Sequence, residues 1–371
     1  MPIYMDRHDV SEEVTAEIVA DLHQKDLKIQ HKFNCKGLTY WFDDTRKTAF
    51  CLVEAPNKKA IQEMHDKAHG AVPHRIIEVD STVVESFLGR IEDPKKSQNT
   101  ALNIINDPAF RTIMVASIKH LSLKNPSGRS VKQAMDEYNK SIIGTITTLN
   151  GRIVKQKNNY ILISFNSVTD AIVCALKIQT GNQHTAASDI VTSFTTKIGL
   201  SAGVPVTSKE GIFEDTIQLA ERICDVVKGK IAISAEVRDL YESENLNTPI
   251  DSEHIIALDS IDEKFLNGLM DYTEKEWRNT SLTADDFSKS LGYSKSQLYR
   301  KMIAITGKSP NSFLKEYRLD RAIELLNKKN GNISDIAYET GFNTPAYFSK
   351  CFQKAYDILP SVYTKTSNLS S

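Results

Sequence analysis

The sequence predicts a multidomain chain: two α+β domains of βαββαβ order, then an all-α domain of two helix-turn-helix units. Three features carry that prediction. Strand-like and helix-like stretches alternate through the first two segments, whereas the last is helical almost throughout. Two polar seams, Gly89 to Asn106 and Tyr241 to Glu263, divide the chain into about 90, 140 and 105 residues. The last segment also repeats itself. Asp286-Phe287 through Leu291-Gly292-Tyr293 matches Asp335-Ile336 through Thr340-Gly341-Phe342 at an offset of 49 residues. One extra residue makes the offset 50, pairing Leu298 with Phe348, Arg300 with Lys350, Met302 with Phe352 and Pro310 with Pro360. The predicted domains are 1–90, 105–245 and 260–365.

In the first segment, Pro2–His8 reads as a strand and Val14–Lys32 has helical spacing. Leu38–Phe42 and Thr48–Val53 form a hairpin pair around Asp43-Asp44. Asn57 caps a helix running to Gly70, and Arg75–Val79 is a final strand. In the second, Arg111–Ile118 is a strand and Val131–Leu149 a helix that ends at an Asn150-Gly151 turn. Ile153–Lys155 and Tyr160–Phe165 pair across Asn158-Asn159. Ser167–Thr180 is a helix and Thr195–Gly203 a strand. Gln218–Val227 is a helix closed by Gly229, and Ile231–Ser234 a strand. Both segments have the plan of a ferredoxin-like sandwich. In the third, Thr283 with Asp286 opens a helix by a capping box, and Ser309 caps one whose first residue is Pro310.

A short helix, a Gly-aromatic turn and a second, basic helix are what entry into a DNA major groove requires. The first reading helix starts at Ser294. Leu298 and Met302, four apart, face the core, which leaves Ser296, Tyr299 and Arg300 for the groove, with Lys295 as a further contact. Arginine pairs with guanine O6 and N7 in bidentate fashion, worth roughly 1–3 kcal/mol of base discrimination. The second reading helix starts at Thr344. Pro345 and Ala346 occupy its forward turn without polar side chains, so Lys350 and backbone amides are expected to hold phosphates there with weak base selectivity.

The net charge is only −1, so a DNA-binding surface must be local. From Glu263 onward there are 16 Lys and Arg against 12 Asp and Glu, a surplus of 4. The five cysteines, Cys35, Cys51, Cys174, Cys224 and Cys351, are scattered without a CxxC pair, the pattern of a reduced compartment. No apolar run approaches the length of a membrane span, and Met1 to His8 has no signal-like core. A cytoplasmic location without membrane contact is expected.

Thr306 through Leu326, with Ile336-Ala337, Gly341-Phe342, Tyr347-Phe348-Ser349 and Phe352, resembles the AraC/XylS family of transcription regulators over about 100 residues. The resemblance implies a central helix, Asn311–Leu326, joining two reading units. By position it makes Ser296, Tyr299 and Arg300 base readers of the first unit and Pro345, Ala346 and Lys350 their counterparts. Thr364 stands where the family commonly has arginine, at the cost of one phosphate contact. Double-stranded DNA is the implied partner, with RNA polymerase as a further one.

Six of the nine histidines fall within the first 74 residues. His65 and His69 are four apart on one helix and share a face, so both can bind one ion. His23 on the other helix can approach them. Cys51 and Glu54 point to opposite faces of their strand, so at most one can join. Imidazole with one soft ligand suits nickel, zinc, copper or cobalt. Exposed helix histidines with no ligand are the bland alternative. Asp26-Leu27-Lys28-Ile29-Gln30, Tyr40-Trp41-Phe42-Asp43, Phe50 through Pro56 and His65 through Gly70 resemble a small family of nickel-binding ferredoxin-like proteins. The resemblance implies a nickel or related site using His65 and His69, with His23 and Cys51 as further ligands.

Phe110–Leu121, Gly151 through Lys155, Ile161–Phe165, Ala171–Gln179, Lys197–Gly203 and Gln218 through Arg222 resemble, in order, a class III adenylate/guanylate cyclase domain. Its two metal-binding aspartates fall on Ser117 and Asn159, its transition-state asparagine on Gln218, and its arginine on Arg222. Cyclisation of a triphosphate needs metals bridging phosphate oxygens, so losing both carboxylates should abolish it. The domain reads as a pseudo-enzyme, kept as a homodimer scaffold or as a site for a nucleotide or other organic ligand.

Together these features predict a DNA-binding regulator, not an enzyme, that responds to a transition metal. The rivals are a regulator whose effector sits in the cyclase-like cleft, a metal storage or delivery protein, and a surviving cyclase, against which Ser117 and Asn159 argue.

Overall fold

The computed structural model describes residues 1–95, 102–120, 128–157, 159–184, 194–246, 248–328 and 331–367. Asn158, expected in a hairpin turn, and residues 96–101 of the first seam lie outside them.

The first domain follows the predicted order: β1 (Ile3–Asp9), α1 (Ala16–Ile29), β2 (Lys36–Asp43), β3 (Thr48–Glu54), α2 (Lys58–Ala68) and β4 (Arg75–Val79). The sheet order is β2-β3-β1-β4, antiparallel throughout. Asn57 accepts a hydrogen bond from the Ala60 N–H, the expected cap of α2. α1 stops before Lys32: a 3-10 turn, Gln30–Phe33, follows, and left-handed Asn34 at φ 53° ends it.

The pattern offers no sign of α3 (Ser81–Leu88). Its Thr82-Val83-Val84 run is β-branched and a poor helix former. Two other features hold it. The Asp80 carboxylate accepts from the Thr82 and Val83 N–H groups. At the other end, the buried Arg111 guanidinium donates to the carbonyls of Phe87 (3.3 Å) and Leu88 (3.4 Å), where a cation suits the helix dipole.

The second domain comprises β5 (Arg111–His120), α4 (Gly128–Thr148), β6 (Arg152–Lys157), β7 (Tyr160–Phe165), α5 (Val168–His184), β8 (Phe194–Gly203), α6 (Glu214–Val226), β9 (Ile231–Ile233), α7 (Ala235–Glu244) and β10 (Ile255–Ala257). Its sheet order is β10-β9-β8-β5-β7-β6. β5 to β8 repeat the first domain's arrangement, and β9 and β10 extend it in parallel. β10 lies inside the second predicted seam, where three residues are too few to show a period.

Strand parity builds three layers of core. On β5, Met114, Ala116 and Ile118 meet α4 and α5. Ile113 and Val115 point the other way, into a core shared with α3, α6 and the first sheet's Met5, Trp41, Phe50, Leu52 and Ile77. On the first sheet's opposite face, Tyr4, Tyr40, Cys51 and Val53 pack on α1 and α2.

The remainder is helical: α8 (Ser260–Glu276), α9 (Ala284–Leu291), α10 (Lys295–Thr306), α11 (Pro310–Asn327), α12 (Ile333–Glu339), α13 (Pro345–Tyr356) and α14 (Pro360–Ser367). The sequence repeat is a structural repeat. Capping boxes Thr283/Asp286 and Asn332/Asp335 open α9 and α12. Gly292 (φ 72°) and Gly341 (φ 79°) make the turns, and Ser294 and Thr344 cap the second helices. A side chain on Gly341 would meet the Trp277 carbonyl at 2.7 Å, so both its conformation and this close approach demand glycine. Among the described residues, no helix is long and apolar enough to cross a membrane.

Candidate metal centre and nucleic-acid interface

Alternation along β1 puts Asp6 and His8 on the face toward α1 and α2. Cys51 is the register partner of Asp6 on β3 and shares that face. α2 lowers His65 and His69 onto it, and α1 supplies Asp26. Asp6, His8, Cys51 and His65 each bring one ligand atom within 4.8 Å of the others, and Asp26, His65 and His69 do the same. His65 joins the two groups. Its Nε2 is 3.0 Å from Asp6 Oδ2 and its Nδ1 3.2 Å from Asp26 Oδ2. His69 Nε2 lies 3.2 Å from Asp26 Oδ1.

This is a buried charge cluster: His65 and Asp6 are each 1% exposed. Burial disfavours the His65 imidazolium, but hydrogen bonds to Asp26 and Asp6 outweigh it and raise its pKa to about 10. Burial likewise pushes the carboxyl of Asp6 upward, yet the charge of His8 and the hydrogen bond of His65 hold it well below the usual range. Asp26 is also lowered, because its hydrogen bonds with His65 and His69 exceed the burial effect. Burial, then the charge of Asp6, pushes the Cys51 thiol well up.

The residues fit a transition metal. Nitrogen, oxygen and sulfur donors converge, the mixture that suits late divalent ions. His8 Nε2 and Asp26 Oδ1, one in each group, are buried and have no hydrogen-bond partner among the described residues. Each has a neighbour, at 3.3 and 3.2 Å, that is too poorly aligned for a hydrogen bond, so both atoms keep bonding capacity. A bound ion would act as a Lewis acid that displaces protons from these donors.

Of the residues named from sequence, His65 lies with Cys51 in one group and with His69 in the other. His23 does not join them: its Nε2 is 3.2 Å from Asp93 Oδ2, and its ring packs on Tyr40. Glu54 turns to the chain's amino terminus at 3.3 Å. Asp6, His8 and Asp26 escape a sequence reading. The available signal was Asp6-Arg7-His8, polar residues two apart in a strand otherwise apolar on that face.

In the helical domain, Ser296, Tyr299 and Arg300 are exposed along α10, while Leu298 and Met302 are buried. Lys295 is also exposed, and its Nζ lies 2.6 Å from Asp285 on α9. On α13, Ala346 and Lys350 are exposed and Pro345 is half-buried as the first helical residue. Arg318 on α11 donates to the carbonyls of Trp277 (2.8 Å) and Asn279 (2.7 Å), tying the central helix to the end of α8.

Ser117, Asn159, Gln218 and Arg222, the positions expected from sequence to match a cyclase site, lie on β5, just before β7 and on α6. Ser117 pairs in register with Tyr160, whose phenol donates to Glu221 at 2.6 Å. The Asn159 carbonyl accepts from the Ile118 N–H. Gln218 is half-buried on α6. Arg222 donates to Asn267 (2.8 Å), Asp271 (2.5 Å) and Glu274 (3.3 Å), all on α8.

Residues 4–79 match the family described as "Nickel responsive protein SCO4226-like", and residues 287–366 match a "Helix-turn-helix domain" family. The chain joins an SCO4226-like domain to an AraC-type helix-turn-helix domain. The SCO4226-like domain resembles the crystal structure of SCO4226 from Streptomyces coelicolor at 31% identity and a TM-score of 0.20, covering 21% of this chain and 94% of that one. Over 108 residues the chain is 43% identical to "Histidine kinase P4" of Formosa agariphila, covering 29% of this chain and 8% of that protein. Over 97 residues it is 29% identical to the "HTH-type transcriptional regulator MtrA" of Neisseria gonorrhoeae, covering 26% of this chain and 31% of that protein. The chain thus spans less than two thirds of the length of these curated relatives.

Proposed function

We propose that this chain is a metal-responsive, DNA-binding transcription regulator with no enzymatic activity. The observation that carries the DNA reading is the in-register pair of capped helices, α10 and α13, whose apolar sides are buried and whose polar sides are exposed. In this reading Ser296, Tyr299 and Arg300 contact base edges. Lys295, Lys350 and the amides at the start of α13, beside Pro345 and Ala346, hold phosphates. Arg300→Glu should abolish protection in a footprint on fragments selected by the parent protein. Full protection by a folded Arg300→Glu chain would defeat the proposal. Lys350→Ala should weaken binding evenly across sequences and reduce the salt slope by about 1.

The proposed signal is nickel or a similar ion held by one of the two groups that share His65, either Asp6, His8, Cys51 and His65 or Asp26, His65 and His69. Supporting it are the family of the first domain and the two unsatisfied donor atoms. A metal alters DNA binding only by favouring one arrangement of the chain over another.

The middle domain, in this proposal, is a degenerate cyclase domain retained as a scaffold. Its arginine, Arg222, is engaged with α8. If two chains pair through it, they meet on a surface other than the sheet face already covered by α3 and α6. Sedimentation of the full chain tests that pairing.

A further inference from the structure

Helix α6 touches both ends of the proposed signalling chain. The loop before it is gripped by the SCO4226-like domain. Arg7 donates to the Val206 carbonyl at 3.1 Å and Arg75 to the Ser208 carbonyl at 3.1 Å. Arg75 also pairs with Glu210, and Lys58 reaches the same carboxylate at 3.4 Å. Arg7 sits between Asp6 and His8, so the strand that carries two cluster donors on one face carries this grip on the other. Lys58 opens α2, the helix that carries His65 and His69.

The same loop is locked to α6. The Phe213 N–H donates to the Pro205 carbonyl at 2.8 Å, and the Gly211 N–H to the Glu214 carboxylate at 2.8 Å. The fully buried Phe213 ring packs on Phe87 of α3 at 4.9 Å between centroids.

The far end of α6 holds the AraC-type domain. Ile223, Val226 and Val227 share a core with Leu298, Met302 and Ile305, the buried side of the first reading helix. The Lys228 N–H donates to the Ile305 carbonyl at 2.9 Å, in the last turn of that helix. Arg222, one turn earlier, fixes α8 through Asn267 and Asp271. α6 is about 20 Å long at 1.5 Å per residue. Interiors packed this closely pass a shift from one face to another instead of absorbing it.

We infer that α6 is the element coupling the His–Asp–Cys cluster to the first reading helix. Arg7, Arg75 and Glu210 are its input contacts, and Arg222 and the Lys228–Ile305 bond its output contacts. This rests on the proposed metal-responsive reading. Within it, Arg7 and Glu210 are positioning residues that touch neither ion nor DNA.

The test is a coupling measurement on the full chain. The DNA probe is a duplex selected from a random pool by the metal-free parent. Its affinity is measured at fixed salt with and without NiCl2, for the parent, Glu210→Ala and Arg7→Met, and calorimetry gives each protein's nickel affinity. The Glu210 side chain is 70% exposed, so Glu210→Ala should fold even if Arg7→Met does not. The parent is expected to show a nickel-dependent change of about 5–150-fold. In the variants that change should fall to within about twofold of none, while nickel affinity and metal-free DNA affinity stay within about threefold of the parent. Retention of the full change in both variants overturns the role of α6 and leaves metal sensing standing. Loss of nickel binding in Glu210→Ala would place the loop in the metal site and also overturn it. A parent that shows no change at all removes the sensing proposal itself, and the role of α6 with it.

Discussion

The two βαββαβ domains use the same space in opposite ways. β1 and β5 are equivalent first strands, each with one face turned to its domain's own helices. On β1 that face carries Tyr4, Asp6 and His8; on β5 it carries Met114, Ala116 and Ile118. The second helices diverge to match: α2 brings His65 and His69, whereas α5 brings Ile172, Ala175 and Ile178. One fold therefore encloses a polar His–Asp–Cys cluster in one copy and an aliphatic core in the other. Topology fixes where a site can be, and strand parity with a few substitutions decides whether one exists.

The largest expected effect bears on the cluster as a structural element. In the metal-free chain Asp6→Asn removes one of the two carboxylates flanking the His65 imidazolium. Breaking a buried ion pair in this way costs about 3–5 kcal/mol. Chemical denaturation in the presence of a chelator should show that loss, and a change below about 1 kcal/mol would mean the cluster is not the charged unit its distances describe. Next in size is the ligand role itself. His65→Ala with His69→Ala should lower nickel affinity by about 100-fold or more, equivalent to about 2.7 kcal/mol. Calorimetry with NiCl2, checked by elemental analysis, reads it directly, and unchanged affinity would erase the contrast between the two domains.

These residues were unevenly legible in the sequence. The helical domain could be read in detail because its signals are local. The caps Thr283, Ser294 and Ser309, the Gly292 and Gly341 turns and the apolar spacing of Leu298 and Met302 lie within a few residues of what they determine. The βαββαβ orders were legible for the same reason; not legible were α3, whose β-branched run hides it, α7, whose last turn the predicted seam at Tyr241 cuts off, and β10, which is too short to show a period. The cluster depended on register. Asp6 meets His65 across 59 positions and His69 meets Asp26 across 43, through strand pairing and helix rotation that composition does not encode. Parity correctly limited the third strand to one of Cys51 and Glu54. Helix adjacency alone could not foresee that His23 turns to Asp93.

A smaller, pH-dependent effect sharpens the comparison. His65 has its folded pKa raised from 6.5 to about 10. Its contribution is fully present below about pH 6.5 and is lost as pH rises through about 10. Asp6 and Asp26 have lowered values, so theirs is present above about pH 4 and is lost as pH falls through their folded values. Hydrogen exchange in metal-free protein, corrected for intrinsic rates, should show β1 and α2 losing protection as pH rises toward 10. β5 and α5 should hold theirs. Parallel loss in both domains would point to global unfolding, not to this cluster.

The smallest expected effect is none, and it concerns the middle domain. If missing carboxylates were all that silenced a nucleotide cyclase there, Ser117→Asp with Asn159→Asp would restore Mn²⁺-dependent turnover of ATP or GTP. The surrounding structure argues otherwise. The strand position of Ser117 faces Tyr160, whose phenol is committed to Glu221 of α6. The Asn159 backbone is tied to Ile118, and Arg222 is held by three side chains of α8. Positioned metals stabilise a phosphoryl transition state only with the nucleotide seated between them and a free cationic partner, and here the one arginine at that place braces another helix. The double variant should therefore release no pyrophosphate above the parent's background. Turnover would show that the domain lost only its ligands and kept its cleft, and the contrast with the SCO4226-like domain would shrink to two side chains.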